Sequence, residues 1–143
     1  AARAQMIGLV KNRRQARGMG LIWITRDRGV IAGIADRGMV MYGGLVVEHA
    51  SVADLYAQPR HPYTRALLET LPSLDGTRTR RLLSISGQPP HMTEAPTSCP
   101  FAARCAHVHD RCRAENPPLA TVSTGHDVAC WWSPDQVPPG GPS

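Results

Sequence analysis

The chain has 143 residues, room for one modest domain or one and a half small ones, which excludes a large multidomain machine. With 13 Gly, 13 Pro, 5% aromatic and 42% hydrophobic residues it reads as a globular chain with long loops around a thin core, and no apolar run approaches the ~18 residues of a membrane-spanning helix. The net charge of +5 is concentrated in the first 40 residues, where Arg3, Lys11, Arg13, Arg14 and Arg17 recur along a predicted helix; with few aromatics nearby to stack on bases, a solvated basic face explains them better than a nucleic-acid surface.

The opening Ala-Ala-Arg-Ala-Gln-Met carries neither an initiator Met nor the basic, apolar and small-residue pattern of a secretory signal, so a piece of a longer protein is expected. Met6, Ile7, Leu9 and Val10 form an i, i+3, i+4 stripe and Gly18 offers a left-handed stop, which predicts a helix over residues 2 to 17. Leu21-Ile22-Trp23-Ile24-Thr25 is apolar on both faces and rich in β-branched residues, the pattern of a buried parallel strand. Val30, Ile31, Ile34 and Ala35 repeat at helical spacing, and Met39 to Tyr42 with Leu45 to Glu48 predict a hairpin turning on Gly43-Gly44. Ser51 and Asp54 form a capping box for a short helix to about Ala57; Pro59 ends it. Pro62 opens another helix, in which Tyr63, Leu67, Thr70 and Leu71 share a face until Pro72. More than half of residues 72 to 98 are Pro, Gly, Ser or Thr, so a connector is expected there, with one strand at Leu82 to Ile85. The tail after Trp132 has little to bury and reads as disordered.

Cys99, Cys105, Cys112 and Cys130 read C-x5-C-x6-C-x17-C. Without a secretory signal, four grouped cysteines favour a metal or cluster site over a disulfide framework. Zinc ribbons present thiolates in pairs two to four residues apart, and no such pair occurs here. Three cysteines in a Pro-containing loop with a distant fourth can instead supply an iron-sulfur cluster. Zinc and uncoordinated or disulfide-bonded thiols are the alternatives, with His107 and His109 as substitute ligands in a zinc version and His126 as a poorer one. Trp131 and Trp132, directly after Cys130, either shield such a centre or simply pack. His61-Pro62-Tyr63 has no adjacent nucleophile, and its simplest role is to fix the entry of a helix.

Arg60-His-Pro-Tyr-Thr-Arg-Ala-Leu-Leu68, the later Ile85-Ser-Gly-Gln-Pro-Pro90, and the run of Pro96, Cys99, Phe101, Arg104, Cys105, Cys112, Pro118, Leu119, His126, Val128 and Cys130 resemble the C-terminal extension of ATP-binding subunits of bacterial ABC importers of the oligopeptide, dipeptide and nickel type. Upstream, Ala4 to Ile7 resembles the helix after that family's D-loop, Ile22 to Val30 its switch region, and Met41 to Gly44 its next hairpin. The resemblance covers residues 1 to about 132. It implies an α/β fold: the C-terminal remainder of a P-loop nucleotide-binding domain over 1–58, an irregular cysteine-rich extension over 59–132, and a disordered tail over 133–143. It also implies a 4Fe-4S cluster on the four cysteines, with zinc as alternative, and ATP and Mg in the complete parent.

The residues agree with a partial catalytic centre, because no G-x-x-x-x-G-K-S/T phosphate cradle, no acidic pair closing an apolar strand and no LSGGQ-like segment occurs. Arg26 stands where the family places a switch histidine; a guanidinium stays protonated and has no acceptor atom, so it does not replace a neutral imidazole, and hydrolysis by the parent is put in question. The partners implied are membrane permease subunits, a second ATP-binding subunit in a homo- or heterodimer and, indirectly, a solute-binding protein, at the cytoplasmic face of the bacterial plasma membrane, with no nucleic acid. The reading of a different class is a small zinc-binding or nucleic-acid-binding module.

Overall fold

A computed structural model describes residues 2–70 and 85–134. Helix α1 (Ala2–Arg17) is followed, after an irregular stretch, by α2 (Arg28–Ile34), where the Asp27 carboxylate accepts from the Val30 amide and caps the helix start. Strands β1 (Arg37–Tyr42) and β2 (Leu45–Ser51) form the expected hairpin. Gly43 and Gly44 turn it at φ +56° and +79°, left-handed values that a side chain resists. The hydroxyl of Ser51 accepts from the Asp54 amide to start α3 (Val52–Ala57), and α4 (Pro62–Glu69) carries Pro62 in its first turn. A single 3-10 turn (Ala102–Arg104), α5 (Asp110–Ala114), β3 (Ala120–Ser123) and β4 (His126–Val128) complete the described elements.

The four strands make one antiparallel sheet in the order β1-β2-β4-β3. Glu48 stands opposite Val128 and His49 opposite Asp127, so β4 is built into the edge of the first hairpin. The core is aromatic: Tyr42, Val47 and Phe101 are buried together, with Val40, Tyr63, Ile85, Cys99 and Cys105 packed against them. The Tyr42 and Phe101 rings meet edge to face at 5.2 Å, and Tyr63 lies 4.5 Å from Tyr42 and 5.3 Å from Phe101. Arg104 ties this core to the segment before the cysteines, donating to the Ser86 and Ile85 carbonyls at 2.8 Å each and to the Tyr42 hydroxyl at 3.1 Å.

Three sequence expectations are corrected or left aside. Leu21 to Thr25 is not a buried parallel strand: the segment is unpaired, and Ile22 and Ile24 are 90% and 95% exposed. A strand apolar on both faces needs strands beside it and layers above and below, and no described strand flanks this one. The β3–β4 hairpin was not anticipated. The expected strand at Leu82 to Ile85 lies outside the described residues except for Ile85, as does the tail beyond residue 134.

Candidate functional site

The cysteines are gathered by a succession of turns. The amide of Ala102 donates to the Cys99 carbonyl (3.1 Å), Cys105 to Ala102 (3.4 Å), Val108 to Cys105 (3.4 Å) and Cys112 to His109 (3.0 Å), and the Cys99 amide closes the loop on the Cys112 carbonyl at 2.9 Å. Cys130 is delivered from the other side, because the Ala129 amide donates to the Val47 carbonyl at 2.9 Å and extends the β2–β4 seam by one residue. Pro100 sits against the Gly43 turn, where an added Cβ would meet the Pro100 Cβ at 3.0 Å. The loop therefore rests on the first hairpin.

All four thiols are free; Cys112 is buried and the others half-buried. Burial pushes the Cys99 thiol up, with the backbone amides of Phe101 and Ala102 opposing and the Cys112 charge adding to it. Burial likewise raises Cys105, opposed by the His107 amide and reinforced by Cys99 and Cys112. Cys130 is pushed up to about 12 by burial first, against the Trp132 amide, with the charges of Cys105, Cys99 and Cys112 adding. The four thiols thus form one electrostatic group. In the absence of a cation Cys99, Cys105 and Cys130 keep their protons at neutral pH, and a metal would displace them.

Two backbone amides already point at sulfur, His107 N–H at Cys105 Sγ (3.3 Å) and Trp132 N–H at Cys130 Sγ (3.4 Å), the kind of donor that supports a metal-bound thiolate. Among the described residues, however, no three His, Cys, Asp or Glu side chains converge tightly enough to hold a metal ion. A single zinc at about 2.3 Å from each sulfur demands that convergence, whereas a four-iron cubane spreads its thiolates over four corners. Four thiols with no carboxylate among them are a donor set that an iron-sulfur cluster and a structural zinc ion both accept. His126 is otherwise engaged, His109 stands exposed at the start of α5, and the His107 ring is stacked on Trp132.

Where β2, β4 and the start of α4 meet lies a polar group that sequence reasoning missed. The Glu48 carboxylate, fully buried, accepts from the amides of Arg60 (2.7 Å) and His61 (3.0 Å) and pairs with His126 Nε2 at 2.7 Å. Its only sequence signal is a charged residue in a strand, which reads as solvent-facing. His61 is 1% exposed and its Nδ1 accepts from the Tyr63 amide, so it fixes the entry of α4 as expected. Burial lowers its pKa to about 4, against the opposing pull of Glu48 and the Ala129 carbonyl. Arg26 lies apart from the cysteines, exposed in the bend before α2, where the Asp27 amide donates to Thr25 Oγ1 at 2.9 Å. Its positive charge reaches the Tyr63 phenol.

Residues 47–112 match the family described as oligopeptide/dipeptide transporter, C-terminal region. Over most of its length the chain is also similar to ATP-binding proteins of peptide transporters: it is 46% identical over 127 residues to the oligopeptide transport ATP-binding protein OppD of Mycobacterium tuberculosis, covering 89% of this chain and 21% of that protein. It is 41% identical over 134 residues to the probable peptide ABC transporter ATP-binding protein y4tR of Sinorhizobium fredii (94% and 40%), and 41% identical over 128 residues to the oligopeptide transport ATP-binding protein AppD of Bacillus subtilis (90% and 39%). The chain therefore spans between about a fifth and two fifths of the length of these relatives. No described helix is long and apolar enough to cross a membrane.

Proposed function

We propose that this chain is part of the ATP-binding subunit of an ABC importer that couples ATP binding and hydrolysis to the uptake of peptides or a related solute. The observation that carries the reading is the 41–46% identity to peptide-transporter ATP-binding proteins over about nine tenths of the chain, with the transporter C-terminal region matched across residues 47–112. In this reading residues 1–58 complete a nucleotide-binding domain, residues 59–132 form the extension and residues 133–143 are a tail. The subunit docks as one of a pair on membrane permease subunits at the cytoplasmic face, and a solute-binding protein feeds them. ATP and Mg are held by parts of the subunit that this sequence does not contain. The zinc or nucleic-acid module gains no support from the relatives. Deleting the corresponding gene should abolish growth on a peptide as the sole source of an auxotroph's amino acid; undiminished growth would refute the assignment.

The four cysteines are assigned a 4Fe-4S cluster that folds the extension, supported by their shared electrostatics and by the two amides aimed at sulfur. Anaerobically purified protein should be brown and carry iron and sulfide in roughly equal amounts. Colourless protein with stoichiometric zinc would move the assignment to zinc, and metal-free protein with an equally protease-resistant extension would defeat both.

A further inference from the structure

The sheet carries a row of polar side chains that crosses all four of its strands. At the β1 edge, Arg37 Nε donates to His49 Nε2 at 3.2 Å, and a second guanidinium nitrogen lies 3.5 Å from His49 Nδ1. His49 of β2 meets the Asp127 carboxylate of β4 through Nδ1 at 3.3 Å, and Thr121 of β3 donates its hydroxyl to the same carboxylate at 2.7 Å. These bonds hold the Asp127 carboxyl below its usual range, the Thr121 hydroxyl first and His49 second. Arg37 also reaches past β2 to donate to the Gly125 carbonyl at 2.9 Å, in the turn between β3 and β4. Gly125 sits at φ +73°, and a Cβ there would meet the guanidinium at 3.3 Å, so the arginine lies on bare backbone.

We propose that this row is a proton-sensitive latch that fastens the β3–β4 hairpin to the first hairpin, closed while His49 is neutral and released when its ring takes up a proton. The backbone alone holds the second hairpin weakly. β4 is joined to β2 through two residue pairs and the Ala129 amide, and all four β3 residues are exposed, so little apolar packing secures the outer side. A guanidinium only donates, so His49 Nε2 is the bare nitrogen and Nδ1 carries the proton that faces Asp127. A second proton removes that acceptor and sets an imidazolium against the guanidinium, while Asp127 holds the charged ring more firmly than before. Arg37 is therefore the group that leaves, and Gly125 loses its donor. The side chains of His49 and Asp127 are 22% and 29% exposed, so solvent protons reach the ring. The other titratable groups on the packed elements are engaged elsewhere. Glu48 of β2 pairs with His126 of β4 in the interior, and the Tyr42 hydroxyl of β1 accepts from Arg104. On α3, which packs against β1 and β2, Asp54 accepts from the Ser51 hydroxyl and Tyr56 donates to the Arg28 carbonyl.

The latch involves neither the cysteines nor a nucleotide, and NMR of the isotope-labelled 143-residue chain tests it between about pH 8 and about pH 5, the range in which histidine charge changes. At the upper end the His49 ring nitrogens should place the proton on Nδ1. As the ring takes up its second proton, two signals should move with the midpoint of His49 itself: the Arg37 Nε–H and the His126 amide, which shares a peptide group with the Gly125 carbonyl. Exchange of the β3 and β4 amides, corrected for intrinsic rates, should quicken roughly two- to tenfold on the acid side, the worth of one hydrogen bond. His49→Gln, which offers an acceptor but takes no charge, should show neither change although His61 and His126 remain. Arg37→Gln should exchange at the fast rate throughout. A proton on Nε2 at the upper end, or Arg37 and His126 signals that stay fixed through the His49 midpoint, would overturn the latch. So would a transition that survives in His49→Gln, which would assign it to the buried Glu48–His126 group. The parent titration decides even if a variant fails to fold.

Discussion

His61 and Glu48 belong to one buried group. The imidazole is held neutral, its pKa lowered from 6.5 to about 4 chiefly by burial. Between those values the unfolded chain binds a proton that the folded chain refuses, so stability is fully present above pH 6.5 and falls as the pH drops towards 4, by roughly 3 kcal/mol at most. Urea unfolding followed from pH 7 to pH 4 should show that loss, and His61→Asn, which keeps an acceptor for the Tyr63 amide, should flatten the slope while lowering stability overall. An unchanged slope in the variant would place the titration elsewhere. The Glu48 carboxyl group accepts from two amides and pairs with His126, and Glu48→Gln would turn a donor towards one of those partners. A loss of about 3 to 5 kcal/mol is expected, with faster amide exchange across His126 to Val128 as its local sign.

At the scale of elements, the hairpin turn sets up a comparison between neighbours. Both glycines are left-handed, so Ala at either costs about 1 to 2 kcal/mol. At Gly44 an added Cβ meets nothing within 4 Å, whereas at Gly43 it meets the Pro100 Cβ at 3.0 Å. Gly43→Ala should therefore unfold at lower urea than Gly44→Ala and should also loosen the cysteine loop. Equal midpoints would mean that the loop does not lean on the turn. The same turn was legible in the sequence, as were the caps at Ser51 and Pro62, because a glycine pair, a capping box or a proline acts through its immediate neighbours. Leu21 to Thr25 was misread because its pattern reports what should cover it, and covering strands are a property of the surroundings. Strand β3 escaped notice because all four of its residues are exposed and leave no alternation to find. Glu48 was missed for a third reason: its buried carboxyl group finds its partner in His126, 78 residues away.

Across the whole molecule, one sheet runs from Arg37 to the segment before Cys130, so the extension and the hairpin share a core and fold together. No phosphate cradle is encoded in the sequence, and the purified chain should show no tight ATP binding by calorimetry; micromolar affinity would contradict the reading of residues 1–58 as the end of a nucleotide-binding domain. Arg26 offers the sharper test in the intact subunit. It is exposed in a bend that Thr25 and Asp27 brace by a hydrogen bond, and its guanidinium donates but never accepts. At a switch position the missing acceptor would leave the attacking water unaligned while the positive charge still attracts the γ-phosphate. Restoring an imidazole by Arg26→His should then raise turnover by roughly a hundredfold, the lower end of what a positioned proton acceptor contributes, with apparent ATP affinity changed by less than about twofold. ATPase assays with the permease and partner subunits present measure both quantities. Turnover that stays level or falls would remove Arg26 from the switch position, and a rise matched by an equal gain in affinity would mark it as a binding group.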